Sequence, residues 1–356
     1  VSPGAQAAHL ARERAAGRGE GGAAVRAPFP WFGGKRDVLD LVWGALGQPK
    51  QYIEPFCGSA AMLLGARAPA SLEVIGDLNG FVANFWRCVK AQPDAVARWA
   101  DYPVSHIDLG ARHRWLLEQV PRLGESLQDP NWPGDAQVAG WWLWGQCSWI
   151  GSGWCEWDPG KIPHVSDAGM GVQASGQIPH VSNAGMGVQA SGQIPHVSNA
   201  GMGSYQSAGS ATPSMDTSGG RTALAWLRKL AARLERVRVI HGSWDRCLNS
   251  HYGGEGPGTA VFLDPPYLAF EGLYGAAGNV PVARECEAWA RANPALRIAL
   301  CGHAGDYDLP GWRMERWERK RLTYSGGGTK DQEAIWFSPA CLDPQRGQQG
   351  LFGGVA

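Results

Sequence analysis

The chain has no excess of charge of either sign: 32 lysines and arginines face 32 aspartates and glutamates over 356 residues. Its overall field therefore does not draw in a polyanion, and phosphate contact would fall to local basic clusters. No run of about 20 apolar residues occurs, so no membrane-spanning helix is expected. Residues 1–25 are rich in Ala, Gly and Arg, with acids between them. Lacking a continuous apolar stretch, they read as a disordered arm rather than a signal peptide. Eight cysteines are present without Cys-x-x-Cys spacing and without a His/Cys cluster. This argues against a zinc site, and for buried thiols in a reducing cytoplasm; no metal is expected. Gly-x-x-x-x-Gly-Lys-Ser/Thr, Gly-x-Ser-x-Gly and His-Glu-x-x-His are all missing, which removes the phosphate-loop and common hydrolase readings.

What the chain does have is Asp264-Pro265-Pro266-Tyr267, directly after the apolar run Thr259–Leu263. That run reads as a buried strand, so the motif sits where a central strand of an α/β sheet ends, the usual ligand side of such sheets. The two prolines stop the strand and remove two backbone donors. They leave a carboxylate, a free carbonyl and an aromatic face close together, groups suited to an exocyclic amino group on a flat base. Here the chain resembles the amino-methylating, S-adenosylmethionine-dependent DNA methyltransferases, and in particular the Dam-like (D12 class) adenine-N6 family.

Three further segments strengthen the resemblance and follow the family's order. Pro28-Phe29-Pro30-Trp31-Phe32-Gly33-Gly34-Lys35 combines a flat apolar wall, two glycines that permit close backbone approach and a positive charge. The resemblance implies that Trp31, Gly33, Gly34 and Lys35 line the cofactor site; the competing reading is a turn before a helix over 36–46. Next, Tyr52-Ile53-Glu54-Pro55-Phe56-Cys57-Gly58-Ser59-Ala60 reads as strand, turn and helix start, the general way a doubly wound sheet brings backbone N–H groups to a ligand. It looks like the family's Glu-Pro-Phe-x-Gly-x-Gly, implying cofactor roles for Glu54, Pro55, Phe56, Gly58 and Ser59. Ala60 stands where the family often has a second Gly. Third, Glu73–Asn79 reads as a strand ending in an acid about 20 residues after the Gly turn, the place for a carboxylate that takes two ribose hydroxyls. Asp77 is the candidate ribose ligand, with a helix N-cap as the competing role for Asp77 or Asn79. A further family position, often an acid that contacts the cofactor adenine, falls on Ser243, with Asp245 two residues later.

Periodicity places strands at 51–56, 72–77, 237–241, 259–264, 297–302, 312–319 and 334–338, and helices at 36–46, from 60, at 79–90 and near 281–293. Leu224, Leu227, Leu230, Leu234 and Val237 mark one apolar helix face. The alternation predicts a mostly parallel sheet with helices on both faces. With the resemblance, this implies a Rossmann-like class I methyltransferase fold. The expected division is a cofactor-binding half (26–100), an inserted target-recognition region (101–220), a catalytic half (221–340) and a flexible tail (341–356).

Within the insertion, a 16-residue unit starting at Ile162 recurs at Ile178 and Ile194. The near-identical copies, over 162–203, read as a duplicated flexible loop. Seven of the 18 tryptophans fall between Trp132 and Trp157. They form either a small core or the wall of a pocket for a flipped base. The stretch also resembles phage-associated adenine methylases. Arg112-His113-Arg114 and Arg313–Arg321 are the basic clusters, either solvated faces or groove contacts.

The resemblance implies double-stranded DNA as partner, a target adenine flipped out of the stack, S-adenosylmethionine as donor, and a monomer or weak dimer in a bacterial or phage-infected cytoplasm. Asp264 and the Pro265 carbonyl would accept the two N6 hydrogens while Tyr267 stacks on the ring. Cytosine-N4 methylation needs the same geometry and is the nearest alternative. A DNA-binding module that has lost catalysis is the alternative from another class; Ala60 and Ser243 are the features that favour it.

Overall fold

Tyr52 and Ile53 are neighbours in sequence, yet they lie in two different apolar cores. The same split separates Ile75 from Val74, Phe262 from Val261 and Leu263, and Ile335 from Trp336. Successive side chains of a strand point to opposite faces, so these strands belong to one sheet covered on both sides. The computed structural model describes residues 25–29, 31, 35–149, 154–155, 223–248, 256, 258–267, 279–317 and 333–343.

A 3-10 turn, Arg36–Val38, leads into α1 (Leu39–Leu46). There follow β1 (Gln51–Glu54), α2 (Ala61–Leu64), β2 (Leu72–Asp77), α3 (Gly80–Ala91), α4 (Pro93–Ala100), α5 (His106–Glu118), α6 (Val120–Ser126) and α7 (Ala136–Ser148). Further along come α8 (Ala223–Leu234), β3 (Val237–His241), a second 3-10 turn (Trp244–Leu248) and β4 (Thr259–Leu263). The chain continues with α9 (Asn279–Ala292), β5 (Arg297–His303), β6 (Arg313–Trp317) and β7 (Glu333–Phe337). Every predicted strand is present, two with the expected ends and the others with ends that differ by one or two residues. The Asp264 and Pro55 ends are trimmed because a proline N–H is missing from the ladder.

The strand order is β3-β2-β1-β4-β5-β7-β6. The pairings from β3 through β5 are parallel, whereas β7 runs antiparallel to both β5 and β6. From β1 the chain builds outward to β2 and β3 on one side and returns as β4 on the other. The gap between the carboxyl ends of β1 and β4 is thus a topological switch point.

Helices α1 to α8 contribute to one core, and α9 with the second 3-10 turn contributes to the other. Local chemistry agrees with these helices. Asn79 caps α3 by accepting from Phe81 N and Val82 N, Pro93 opens α4, and Asp135 caps α7 through Gln137 N and Val138 N. Each cap satisfies donors that a helix start leaves without partners.

Residues 106–148, expected to open the inserted region, are three helices that share the core of α3, α4 and α8. Helix α7 is buried on all sides, as a helix apolar all round must be. Trp142 and Trp144 are fully buried, Trp149 and Trp154 nearly so, so these tryptophans form the core reading of the cluster. Trp157 and the repeats at 162–203 lie outside the described residues.

Candidate active site

Five parallel strands present their carboxyl ends along one edge of the sheet, and the predicted site residues gather there. At the end of β2, the Asp77 carboxylate accepts from Asn79 N through Oδ1 and from Gly58 N through Oδ2, both at 2.9 Å. Of the roles weighed for this pair, the helix cap falls to Asn79, and Asp77 ties the end of β2 to the turn after β1. Burial pushes the Asp77 carboxyl up to about 6, against the pull of the Asn79, Gly58 and Leu78 N–H groups.

The turn after β1 is braced from below. Glu54 is buried and its Oε2 accepts from the Tyr52 hydroxyl and from Leu63 N, each at 3.0 Å. Burial pushes its carboxyl up to about 8. Its contacts are thus with the turn and α2. Gly58 has φ +44 and Ala60 φ +51. A Cβ on Gly58 would collide with the Trp31 ring, so this glycine admits Trp31 as a wall of the turn. Its carbonyl accepts from Trp86 Nε1 at 2.9 Å. Ser59 and Pro55 are buried, while Phe56 is half-buried and stacks on Trp244 with centroids 6.4 Å apart. Ala60, in place of a glycine, occupies the left-handed conformation at the start of α2.

The Asp264 motif leaves β4 beside this turn. Lys35 Nζ lies 2.9 Å from Asp264 Oδ2 and 3.7 Å from Glu333 Oε2. The Tyr267 hydroxyl donates to Glu333 Oε2 at 3.3 Å. Lys35 Nζ is 5.1 Å from the Tyr267 ring centroid, and the His303 ring meets the tyrosine edge-on at 4.8 Å. Burial alone would lower the Lys35 ammonium, but Asp264, Cys301 and Glu333 outweigh it and raise it above the usual lysine range. Asp264 keeps 19% of its side-chain surface exposed while Lys35 keeps 3%. The acid faces the opening and the ammonium stands behind it.

Two expectations need correction. Tyr267 is only 8% exposed, so in this conformation its ring offers no open face for stacking on a base. Arg112-His113-Arg114 is not a solvated stripe. The Arg112 guanidinium packs over Tyr102, Trp141 and Trp144 at 4.2 to 5.0 Å, and His113 is buried against Trp149. Aromatic neighbours on α7, together with Tyr102 and with Trp149 just past the helix, explain both. In the second basic cluster, Arg313 packs over Phe337 and pairs with Glu315; residues 318–321 lie outside the described residues. Ser243 is exposed just beyond β3, with Asp245 exposed in the next turn. Gly33 and Gly34 lie outside the described residues. Sequence reasoning missed Glu333 and His303. Glu333 had only the weak signal of an acid opening an otherwise apolar strand.

Polar residues at the carboxyl edge of a mostly parallel sheet, beside its switch point, define an α/β enzyme of the kind a methyltransferase fold provides. Residues 31–103 match the model of the family described as D12 class N6 adenine-specific DNA methyltransferase, a likeness that supports a DNA adenine methyltransferase enzyme. The matched stretch holds Trp31, Lys35, the 54–60 turn and Asp77, and ends before Asp264. No curated protein matches the chain. Among the described residues, no group of three or more His, Cys, Asp or Glu could hold a metal ion. None of their helices is long and apolar enough to cross a membrane.

Proposed function

We propose that the chain transfers a methyl group from S-adenosylmethionine to the exocyclic N6 of an adenine flipped out of duplex DNA, on a Rossmann-like class I scaffold. The observation that carries this reading is the partly exposed Asp264 carboxylate, backed by buried Lys35, at the β1/β4 switch point. The residues fit the cofactor. Asp77 has acceptor capacity beyond the three N–H groups it already takes, since a carboxylate has about four lone-pair sites. Trp31 walls the turn that Gly58 opens, and Ser59, Ser243 and the 55–58 segment complete the proposed pocket. When bound, the cofactor supplies a methyl group made electrophilic by its sulfonium.

The chain's own residues do the rest. Asp264 accepts one N6 hydrogen, and the Pro265 carbonyl, with no following N–H to satisfy, accepts the other. These two bonds draw the nitrogen lone pair out of conjugation with the ring and aim it at the methyl carbon. Lys35 holds the Asp264 side chain in place from behind, at 2.9 Å. Pro266 keeps the segment extended. Tyr267, buried with its hydroxyl on Glu333, borders the acceptor rather than lying open to the base. Positioning and electrostatic preorganisation are the main catalytic effects.

The test is nucleoside mass spectrometry of mixed-sequence duplex DNA incubated with protein and S-adenosylmethionine, with Asp264→Ala in parallel. N6-methyladenine should form with the wild type and drop by at least about 100-fold in the variant. Wild-type activity in Asp264→Ala would refute the mechanism, and N4-methylcytosine as product would overturn the choice of base.

A further inference from the structure

Glu333 belongs to no motif and has no role in the reading above, yet it is buried at the centre of the site. It opens β7, where its side chain keeps 8% of its surface. Because β7 runs antiparallel to β5, Glu333 pairs in register with His303. The first residue of β7 thereby reaches the edge where the parallel strands end. A carboxyl group there is costly unless its oxygens find donors. Two donors converge on Oε2: the Tyr267 hydroxyl at 3.3 Å and Lys35 Nζ at 3.7 Å. The same lysine reaches Asp264 at 2.9 Å. Asp264, Lys35, Glu333 and Tyr267 thus form one chain in which Glu333 touches both partners of the proposed acceptor but not the reacting atoms.

We propose that Glu333 is a positioning residue for methyl transfer: it fixes the Lys35 ammonium behind Asp264 and sets the angle of the Tyr267 ring. This inference rests on the proposed role of Asp264. The chemistry follows from the geometry. Without the second carboxylate, the Lys35 ammonium, already 2.9 Å from Asp264 Oδ2, loses an anion that fixes its position and can turn more of its N–H groups onto the oxygen that should accept the amino hydrogen. Without the Glu333 acceptor, Tyr267 loses one of the contacts that orient it; its hydrogen bond with Asp264, the edge of His303 and the ammonium over its ring remain. A displacement of about 1 Å at such a site costs about 100-fold in rate. A carboxylate that only stabilises the fold would leave turnover per folded molecule untouched.

The experiment compares wild type, Glu333→Gln and Glu333→Asp in single-turnover methyl transfer on duplex DNA, with S-adenosylmethionine affinity and thermal unfolding measured alongside. Glu333→Gln should lower the rate at saturation by at least about tenfold, a loss that saturating cofactor does not restore. Glu333→Asp should restore part of the rate. Lys35 also faces Asp264 and Cys301, with Tyr267 and His303 close by. Removing Glu333 lowers the pH at which the ammonium is lost, so the alkaline limb of the rate profile should move to lower pH. Unchanged rate and profile in folded Glu333→Gln would overturn the proposal.

A second readout does not need activity. In protein labelled with 15N at lysine Nζ, with the Lys35 signal assigned through Lys35→Met, the Lys35 titration midpoint should fall in Glu333→Gln. A wild type that makes no methylated adenine would overturn the functional reading. The Lys35 midpoint would still decide the placement of Glu333, a fall supporting it and an unchanged midpoint overturning it.

Discussion

Replacing Glu54 by glutamine should stabilise the protein, and increasingly so as pH rises. Glu54 is 2% exposed, and its carboxyl is pushed from the usual 4.5 to about 8 by burial. The folded protein therefore holds this proton more tightly than the unfolded chain does. Stability from this group is complete below about pH 4.5 and is lost as pH rises toward 8, where the buried group must ionise. At ~1.4 kcal/mol per pH unit, the loss between about pH 5 and about pH 8 is about 3 to 4 kcal/mol. Glutamine cannot ionise, yet its carbonyl can still accept from Tyr52 and Leu63 N. Urea unfolding of wild type and Glu54→Gln across that range should show a gap in favour of the variant that widens with pH. Asp77 titrates nearby with the same sign, its carboxyl raised to about 6, but it is present in both proteins and cancels in the difference. A gap that stays constant with pH would refute the reasoning.

Two further outcomes follow from the turn after β1. Gly58→Ala places a Cβ into the Trp31 ring at φ +44; it should cost about 1 to 3 kcal/mol in chemical denaturation and weaken S-adenosylmethionine binding by calorimetry. Ala60→Gly relieves a left-handed alanine, a gain of about 1 to 2 kcal/mol. It also removes a buried methyl and loosens the unfolded chain, together about 1 to 2 kcal/mol, so the thermal midpoint should hardly move. A large change in either direction would show that φ +51 at Ala60 is not the conformation in solution.

Much of the framework could be read along the chain because its signals are local. Short apolar runs marked β4, β5 and β7, and the spacing of Leu227, Leu230 and Leu234 marked the buried face of α8. Asp264 and Asp77 were legible because each follows directly on an apolar strand. Helices 106–148 were harder to read. Their buried faces are satisfied by α3, α4 and α8, so nothing in their own composition said that they join that core.

The sequence by itself determined the strands, the alternation that buries both faces of the sheet, and the acids that end β2 and follow β4. Only the tertiary structure decided what stands beside those acids. Lys35 and Asp264 are 229 positions apart, and the fold places their charged atoms 2.9 Å from each other. Glu333 reaches them only because β7 enters the sheet antiparallel, which puts its first residue at the edge where the parallel strands end. A parallel β7 would have carried the same residue to the far side. Strand direction is set by pairing between distant segments rather than by local pattern, so no reading of the Glu333 neighbourhood could have placed it in the site.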